Sequence, residues 1–231
     1  MLDTAFPRIL GDAGNMASYN VPARTQVVTG IGSLDVVHDR VLPERMTEAF
    51  CAAARELENQ GARAIVSTCG FLVTAQDRID AAVDIPVVVS GLSYYRLLKA
   101  QQPDRKIGIL TASKSSLGPA ALQAAGVEYS GNENTGPLIA GLEDCEAFRS
   151  AILSDKSAQP DTLDTTAIRT AIVGKAIALA DSSPALGAFV LECGNLPPYA
   201  ADIHAATGKP VYSILDAAQS LFEHSELRTF S

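Results

Sequence analysis

Short segments rich in Val and Ile alternate along this chain with longer segments in which Ala and Leu recur at helical spacing. That alternation is typical of repeated β-α units around a parallel sheet, so the sequence predicts an α/β fold. Apolar runs bounded by Gly, Pro or charged residues predict strands at residues 25–29, 62–67, 86–90, 106–111, 187–191 and 210–214.

Helices are predicted to fill much of the chain between the strands, and two of them have clear ends. The first covers residues 43–60 and stops just before Gly61, and the second covers residues 164–180 and begins at Asp164, a favourable N-cap. Clusters of Asn, Ser, Gly, Asp and Pro predict loops at residues 131–141 and 154–161, neither long enough to link independent domains.

Two segments of the chain resemble each other. Residues 64–72 read AIVSTCGFL and residues 188–196 read AFVLECGNL, which share Ala, Val, Cys, Gly and Leu at the same positions. Pro86 follows Cys69 by 17 residues, and Pro210 follows Cys193 by the same 17. Each segment therefore predicts a strand, a cysteine at its carboxyl end, one helix and a returning strand.

A duplicated βαβ unit predicts two similar flavodoxin-like halves with parallel sheets, related by a pseudo-twofold axis. The first half is predicted to comprise residues 1–94 and 214–231, and the second residues 95–213. Ligands of open parallel sheets bind outside the carboxyl ends of the strands, where both Cys69 and Cys193 are predicted to lie. The two thiols should then face each other across one cleft.

Two opposed thiols suit a reaction that removes a proton from one face of a carbon and returns one to the other face. A helix that starts at each Cys-Gly pair would lower the thiol pKa, and Gly70 and Gly194 would let the backbone approach a substrate carboxylate. The alternative is that Cys69 and Cys193 are small core residues. Two cysteines at matching strand ends favour the functional interpretation.

Composition excludes several other classes of function. Eighteen Lys and Arg residues against 26 Asp and Glu give a net charge of −8, which opposes binding to nucleic acid or to an anionic membrane. No apolar run approaches the roughly 20 residues of a membrane span, and the N-terminus does not resemble a signal peptide, so we expect a cytoplasmic protein with reduced thiols. The spacing of Cys and His predicts no metal site.

The sequence resembles the aspartate/glutamate/hydantoin racemase superfamily in three motifs, namely residues 11–15 (GDAGN), 67–72 (STCGFL) and 192–199 (ECGNLPPY). It is most similar to the poorly characterised branch called aspartate/glutamate racemase family proteins. The resemblance implies a racemase or isomerase without cofactor, a small carboxylate substrate and homo-oligomerisation. Residue by residue, it implies an acid/base pair and substrate contacts: Cys69 and Cys193 for the pair, and Asp12, Asn15, Gly70, Phe71, Thr111, Gly194 and Asn195 for the contacts.

These motifs do not specify the substrate. Glutamate racemases follow their first cysteine with Asn-Thr and their second with Thr-His, whereas this chain has Gly-Phe and Gly-Asn, so glutamate specificity is not predicted. The alternatives are an enzyme similar to arylmalonate decarboxylase, maleate isomerase or hydantoin racemase, and a non-catalytic protein that binds a small acid. Neither a dinucleotide-binding G-x-G-x-x-G after a strand nor a G-x-S-x-G motif is present.

Several side chains near the cysteines have two interpretations. Phe71 either lines a less polar pocket or packs beneath its helix, and Asp12 either contacts substrate or forms a turn. Asn195 either contacts substrate or caps the following helix. Glu192 receives no role, because strand alternation should turn it away from Cys193.

Overall fold

The computed structural model describes residues 1–127 and 136–228, with side chains described as far as residue 223. The α-helices are α1 (Ser33–Val36), α2 (Glu44–Asn59), α3 (Gln76–Asp80), α4 (Ser93–Gln101), α5 (Pro119–Ala124), α6 (Glu146–Ile152), α7 (Thr165–Ser182), α8 (Ala200–Thr207) and α9 (Ile214–Arg228). Short 3-10 helices span Met16–Ser18, Gly70–Ala75, Lys156–Ala158 and Pro197–Tyr199.

The strands form two parallel sheets. Strands β1 (Ile65–Val66) and β2 (Val87–Val88) pair with each other, and β3 (Lys106–Thr111), β4 (Leu138–Gly141), β5 (Leu186–Leu191) and β6 (Val211–Tyr212) form a second sheet in the order β4-β3-β5-β6. The central strands β3 and β5 are buried almost throughout, as expected for strands covered by helices on both faces. The predicted α/β fold with parallel sheets is confirmed.

The duplication seen in the sequence is present in the strand register. Ile65 pairs with Val87 in the first sheet, and Phe189 pairs with Val211 in the second. Each residue of the second pair lies 124 positions after its counterpart in the first pair (189 − 65 = 124; 211 − 87 = 124). The two cysteines differ by the same 124 residues, so each follows the first strand of its own β-helix-β unit at an equivalent position.

Helix α9 packs against β1 and β2, whereas β6, which precedes it, belongs to the four-stranded sheet. The chain therefore returns to the two-stranded sheet after β6. The division into residues 1–94 plus 214–231 and residues 95–213 stays a prediction.

The two clearest helix predictions are confirmed by α2 and α7. The Asp164 side chain accepts a hydrogen bond of 2.9 Å from the Ala167 N–H and caps α7. Gly61, at φ 87°, follows the end of α2, where a residue with a side chain would be strained. The prediction of a loop at residues 154–161 is also correct, apart from one 3-10 turn.

Two predictions of secondary structure are wrong, one from the apolar pattern and one from a cluster of turn-forming residues. Residues 25–29 form no strand, and only an isolated bridge joins Val28 to Leu2. The predicted loop at 131–141 contains β4, because Leu138 and Ile139 are buried and pair with β3. Residues 131–135 of that predicted loop lie outside the described part of the chain.

Candidate active site

Cys69 and Cys193 lie in turns with the same hydrogen bonding. The Leu72 N–H donates to the Cys69 carbonyl over 3.2 Å, and the Leu196 N–H donates to the Cys193 carbonyl over 3.1 Å. The turn after Cys69 continues directly into a 3-10 helix that starts at Gly70. After Cys193 the corresponding 3-10 helix starts only at Pro197, so the prediction that each Cys-Gly pair begins a helix is correct for the first cysteine alone.

The two turns pack against each other through their glycines. A Cβ atom on Gly70 would lie 2.1 Å from the carbonyl oxygen of Glu192, and one on Gly194 would lie 2.5 Å from the carbonyl oxygen of Thr68. Thr68 and Glu192 each precede a cysteine, so each glycine contacts the residue before the other cysteine. Only glycine fits this reciprocal contact, which brings the two cysteine segments together.

Both cysteines line one cavity. Its walls also include Thr68, Glu192, Asn195, Phe71, Phe6 and Arg8. The cavity has a volume of about 20 Å³, which is room for about one water molecule. A substrate of several heavy atoms therefore requires the walls to move apart.

Burial controls the acidity of both thiols. Cys69 is 8% exposed and Cys193 is 6% exposed. Burial, with a smaller contribution from the charge of Glu192, raises the pKa of Cys69 to about 12, and the same two causes raise the pKa of Cys193 well above its usual value. The expectation of a lowered thiol pKa is wrong, because the loss of hydration outweighs the backbone N–H of Phe71 and that of Asn195.

Asn195 connects Cys193 to a buried carboxylate. The Cys193 thiol donates to Oδ1 of Asn195 over 3.3 Å, and Nδ2 of Asn195 donates to Oδ2 of Asp12 over 2.7 Å. The other oxygen of Asp12 accepts from the Gly14 N–H and from Nη1 of Arg8. Asp12 thus both forms a turn and orients the amide beside Cys193, and Asn195 is not a helix cap.

Glu192 is a residue of the site that the sequence argument missed. Its side chain lines the same cavity as Cys193, although the two are neighbours in the chain. Strand alternation does not apply here, since β5 ends at Leu191. The carboxyl group is 1% exposed, and burial raises its pKa to about 7 against hydrogen bonds from the hydroxyl of Thr111 and the N–H of Ala112.

Arg8 is the second residue that was missed. Its Nη2 donates to the hydroxyl of Thr4 over 2.8 Å, and its guanidinium lies 4.2 Å from the ring centre of Phe6. Its Nε is buried without a hydrogen-bond partner among the described residues. A guanidinium fixed in the cavity wall can bind a carboxylate, and no pattern in the N-terminal loop indicated this position.

The remaining predicted site residues are close to the cysteines but differ in their contacts. Phe71 is 3% exposed and lines the cavity, so it serves both as core and as wall. Thr111 is fully buried and donates over 2.8 Å to Oε2 of Glu192, which places it behind that carboxyl. Asn15 does not line the cavity, because its side chain caps the helix Met16–Ser18 and donates to the Arg8 carbonyl.

No cluster of three or more His, Cys, Asp or Glu side chains with metal-binding geometry occurs within residues 1–127 and 136–223. None of the helices in the described part of the chain combines the length and the apolar character needed to cross a membrane.

Comparison with known proteins identifies the family of this chain. The model of the Asp/Glu/hydantoin racemase family matches residues 27–222. A dimethylsulfoniopropionate lyase from Durusdinium sp. clade D is 29% identical over 222 residues, which cover 94% of this chain and 70% of the relative. Dimethylsulfoniopropionate lyase 7 from Emiliania huxleyi (strain CCMP1516) is 28% identical over 95% of this chain and 64% of the relative, so the chain spans less than two thirds of that protein.

A solved structure shares the fold. A glycine-to-cysteine mutant of arylmalonate decarboxylase, in its sulfate-associated form, superposes with a TM-score of 0.60 at 16% identity, over 97% of this chain and 91% of that one. At this identity the likeness concerns the fold alone. Since the family model covers most of the chain, including both cysteine turns, the protein belongs to the Asp/Glu/hydantoin racemase family.

Proposed function

We propose that this protein is a cofactor-independent enzyme that transfers a proton at the α-carbon of a small carboxylic acid, with Cys69 and Cys193 as its acid/base groups. The observation that carries the proposal is that both cysteines, from equivalent turns of a duplicated unit, line one cavity. A lone buried cysteine would support only a structural role.

The environment of the thiols suits this chemistry. An α-proton of a carboxylic acid is very weakly acidic, so its removal requires a base that is strong and poorly hydrated. A buried cysteine rests as a thiol, and its thiolate, once formed in this cavity, is poorly hydrated and therefore a stronger base than a thiolate in water. In this step a new S–H bond forms, the Cα–H bond breaks, and its electron pair stays on the substrate.

Arg8 supplies the charge that this step requires. Electron density moves from the α-carbon toward the substrate carboxylate as the proton leaves. The guanidinium of Arg8, held by Asp12 and Thr4, is the cation in the cavity wall and has one buried N–H without a partner among the described residues. We therefore assign the substrate carboxylate to Arg8.

Racemisation or another 1,1-proton transfer is the first form of the proposed reaction. One cysteine removes the proton from one face, and the thiol of the other returns a proton to the opposite face. The reciprocal packing of the Cys69 and Cys193 turns supports this form, because it gives each sulfur an equivalent backbone environment.

A β-elimination is the second candidate. It is supported by the relatives named dimethylsulfoniopropionate lyase and by Phe71 in the cavity wall, since aromatic faces attract a sulfonium cation. In this form a thiolate takes the α-proton, the electron pair forms the Cα=Cβ bond, and the Cβ–S bond breaks to release dimethyl sulfide and acrylate. One base is enough for this reaction.

The test is to incubate the protein in D₂O with single amino acids, hydantoins, arylmalonate, maleate and dimethylsulfoniopropionate. Proton NMR then follows loss of the α-proton signal and the appearance of acrylate. We expect exchange or elimination with at least one compound, and loss of at least 10²-fold in rate in both Cys69→Ser and Cys193→Ser if the reaction is racemisation. Loss in only one variant is expected for elimination or decarboxylation.

The matched control is Cys145→Ser, because Cys145 is a free cysteine that does not line the cavity. It should retain the wild-type rate. Turnover that survives the replacement of both cavity cysteines would contradict the proposal. Thermal stabilisation by a compound that is never turned over would instead support a non-catalytic small-acid binding protein.

A further inference from the structure

The two residues that precede the cysteines differ in chemistry although their positions are equivalent. Thr68 precedes Cys69 and Glu192 precedes Cys193, at the same offset of 124 residues that relates the cysteines. Both side chains line the cavity, and both have a buried oxygen, Oγ1 of Thr68 and Oε1 of Glu192, without a hydrogen-bond partner among the described residues. A carboxylate accepts a proton near neutral pH, and a hydroxyl does not.

The two oxygens of Glu192 have different surroundings. Oε2 accepts 2.8 Å and 3.4 Å hydrogen bonds from the hydroxyl of Thr111 and the N–H of Ala112, which fix the side chain. Oε1 is the free oxygen and lies beside the turn of the other cysteine, since a Cβ on Gly70 would be 2.4 Å from it. The carboxyl of Glu192 is thus directed at the turn that carries Cys69.

We propose that Glu192 exchanges a proton with Cys69 and thereby generates the thiolate of this site. The carboxylate takes the proton from the Cys69 thiol, so that an S–H bond breaks, an O–H bond forms, and a thiolate faces a neutral carboxyl. This assignment rests on the proposed function and makes Cys69 the base of the resting enzyme. Cys193 has only Thr68 at the equivalent position and starts as a thiol.

The other charged groups around the pair favour the same direction. The guanidinium of Arg8 acts on Cys69 and favours its thiolate, as does the Met1 ammonium below about pH 6, where that group is charged. Asp12 and the Cys69 thiolate oppose ionisation of Cys193, whose proton is already donated to Asn195. When the proton moves from Cys69 to Glu192, the carboxylate becomes neutral. The negative charge that does most to raise the pKa of the Cys69 thiol is thereby lost.

The experiment measures thiolate formation without substrate. The full chain is alkylated with iodoacetamide between about pH 5 and 10, and peptide mass spectrometry gives a rate for each cysteine. In the wild type we expect the rate at Cys69 to rise up to about pH 7, where Glu192 ionises, and then to level off. In Glu192→Gln this plateau should be absent, and the rate should rise tenfold per pH unit through pH 9.

Two further variants separate this role from a structural one. Thr111→Val removes a hydrogen bond that favours the carboxylate, so the start of the plateau should move to higher pH. Glu143→Gln is the matched control, because Glu143 also has a buried unpartnered oxygen but does not line the cavity, and it should keep the wild-type profile. Melting temperatures of all variants verify the fold.

A plateau that survives in Glu192→Gln, or one of equal extent at Cys193, would overturn the assignment. So would a Cys69 that stays unreactive at every pH, because the base of this site must be reachable by a molecule of substrate size. None of these results depends on turnover, so failure of this assignment is distinguishable from failure of the proposed α-proton chemistry, which the D₂O experiment tests.

Discussion

Nδ2 of Asn195 donates a 2.7 Å hydrogen bond to Oδ2 of Asp12, joining two residues that are 183 positions apart in the chain. Asn195 presents its carbonyl oxygen to the Cys193 thiol as a result. This amide side chain therefore joins the first loop of the chain to the second cysteine turn, alongside the 2.9 Å main-chain hydrogen bond from the Ala13 N–H to the Gly194 carbonyl. Its removal would leave a buried carboxylate oxygen without this partner.

We predict that Asn195→Ala lowers the free energy of unfolding by about 1–3 kcal/mol, because Oδ2 of Asp12 loses its hydrogen-bond donor while buried. Urea unfolding at neutral pH measures the change. Asn20→Ala, at an exposed asparagine, is the control and should stay within about 0.5 kcal/mol of wild type. Equal stabilities of the two variants would show that water replaces the amide.

Gly70→Ala should be strongly destabilising. A Cβ atom would lie 2.1 Å from a backbone oxygen of Glu192, so the two turns must separate, at a cost of about 1–3 kcal/mol or more. Gly174→Ala is the matched control, because that glycine lies exposed in α7 with nothing within 4 Å of its Cβ position. The control should gain about 0.5–1 kcal/mol from higher helix propensity. Similar melting temperatures for both variants would contradict the close packing of the turns.

Stability should depend on pH through Glu192. Its pKa is raised from 4.5 to about 7, so its stabilising contribution is complete below about pH 4.5 and is lost as the pH rises through 7. Relative to Glu192→Gln, the wild type should therefore lose about 2.5 kcal/mol between pH 5 and pH 8. Urea unfolding of both proteins at the two pH values gives this difference.

The comparison with Glu192→Gln cancels the opposite effect of the N-terminal ammonium. Burial lowers the pKa of Met1 from 8.0 to about 6, so its contribution is complete above pH 8 and is lost as the pH falls through 6. Cys69, with a pKa of about 12, releases no net proton in this window. A difference between the two proteins that is constant with pH would contradict a neutral buried carboxyl.

Arg8→Lys should weaken the binding of small carboxylates by about tenfold or more, because an ammonium cannot replace the planar donor set of a guanidinium. The measurement is the rise in melting temperature produced by propionate and by aspartate. Arg149→Lys, which changes an exposed arginine paired with Glu146, is the control and should keep the wild-type response. An unchanged response in Arg8→Lys would mean that the substrate carboxylate binds elsewhere.

The sequence was sufficient to find the two cysteine turns because the duplication preserved local sequence at a constant offset. Periodicity also located β3 and α7, since both are long and have clear ends. It missed β4, whose four residues are too few to show a pattern beside a run of Asn and Gly.

The chemistry of the site was less predictable than its location. Glu192 was excluded because alternation was extended one residue beyond the end of β5, and a strand end is where that rule fails. The pKa values of Cys69 and Cys193 depend on how completely the surrounding chain excludes water, which no local motif specifies. Arg8 reaches the cavity only through the tertiary course of the first loop.

The back-to-back contact of the glycine turns fixes the separation of the two sulfurs through main-chain atoms. Residues of the cavity wall outside the two turns, such as Phe6, can then vary without disturbing that spacing. A family built on this frame can diversify the molecules it accepts while its reactive centre keeps the same dimensions.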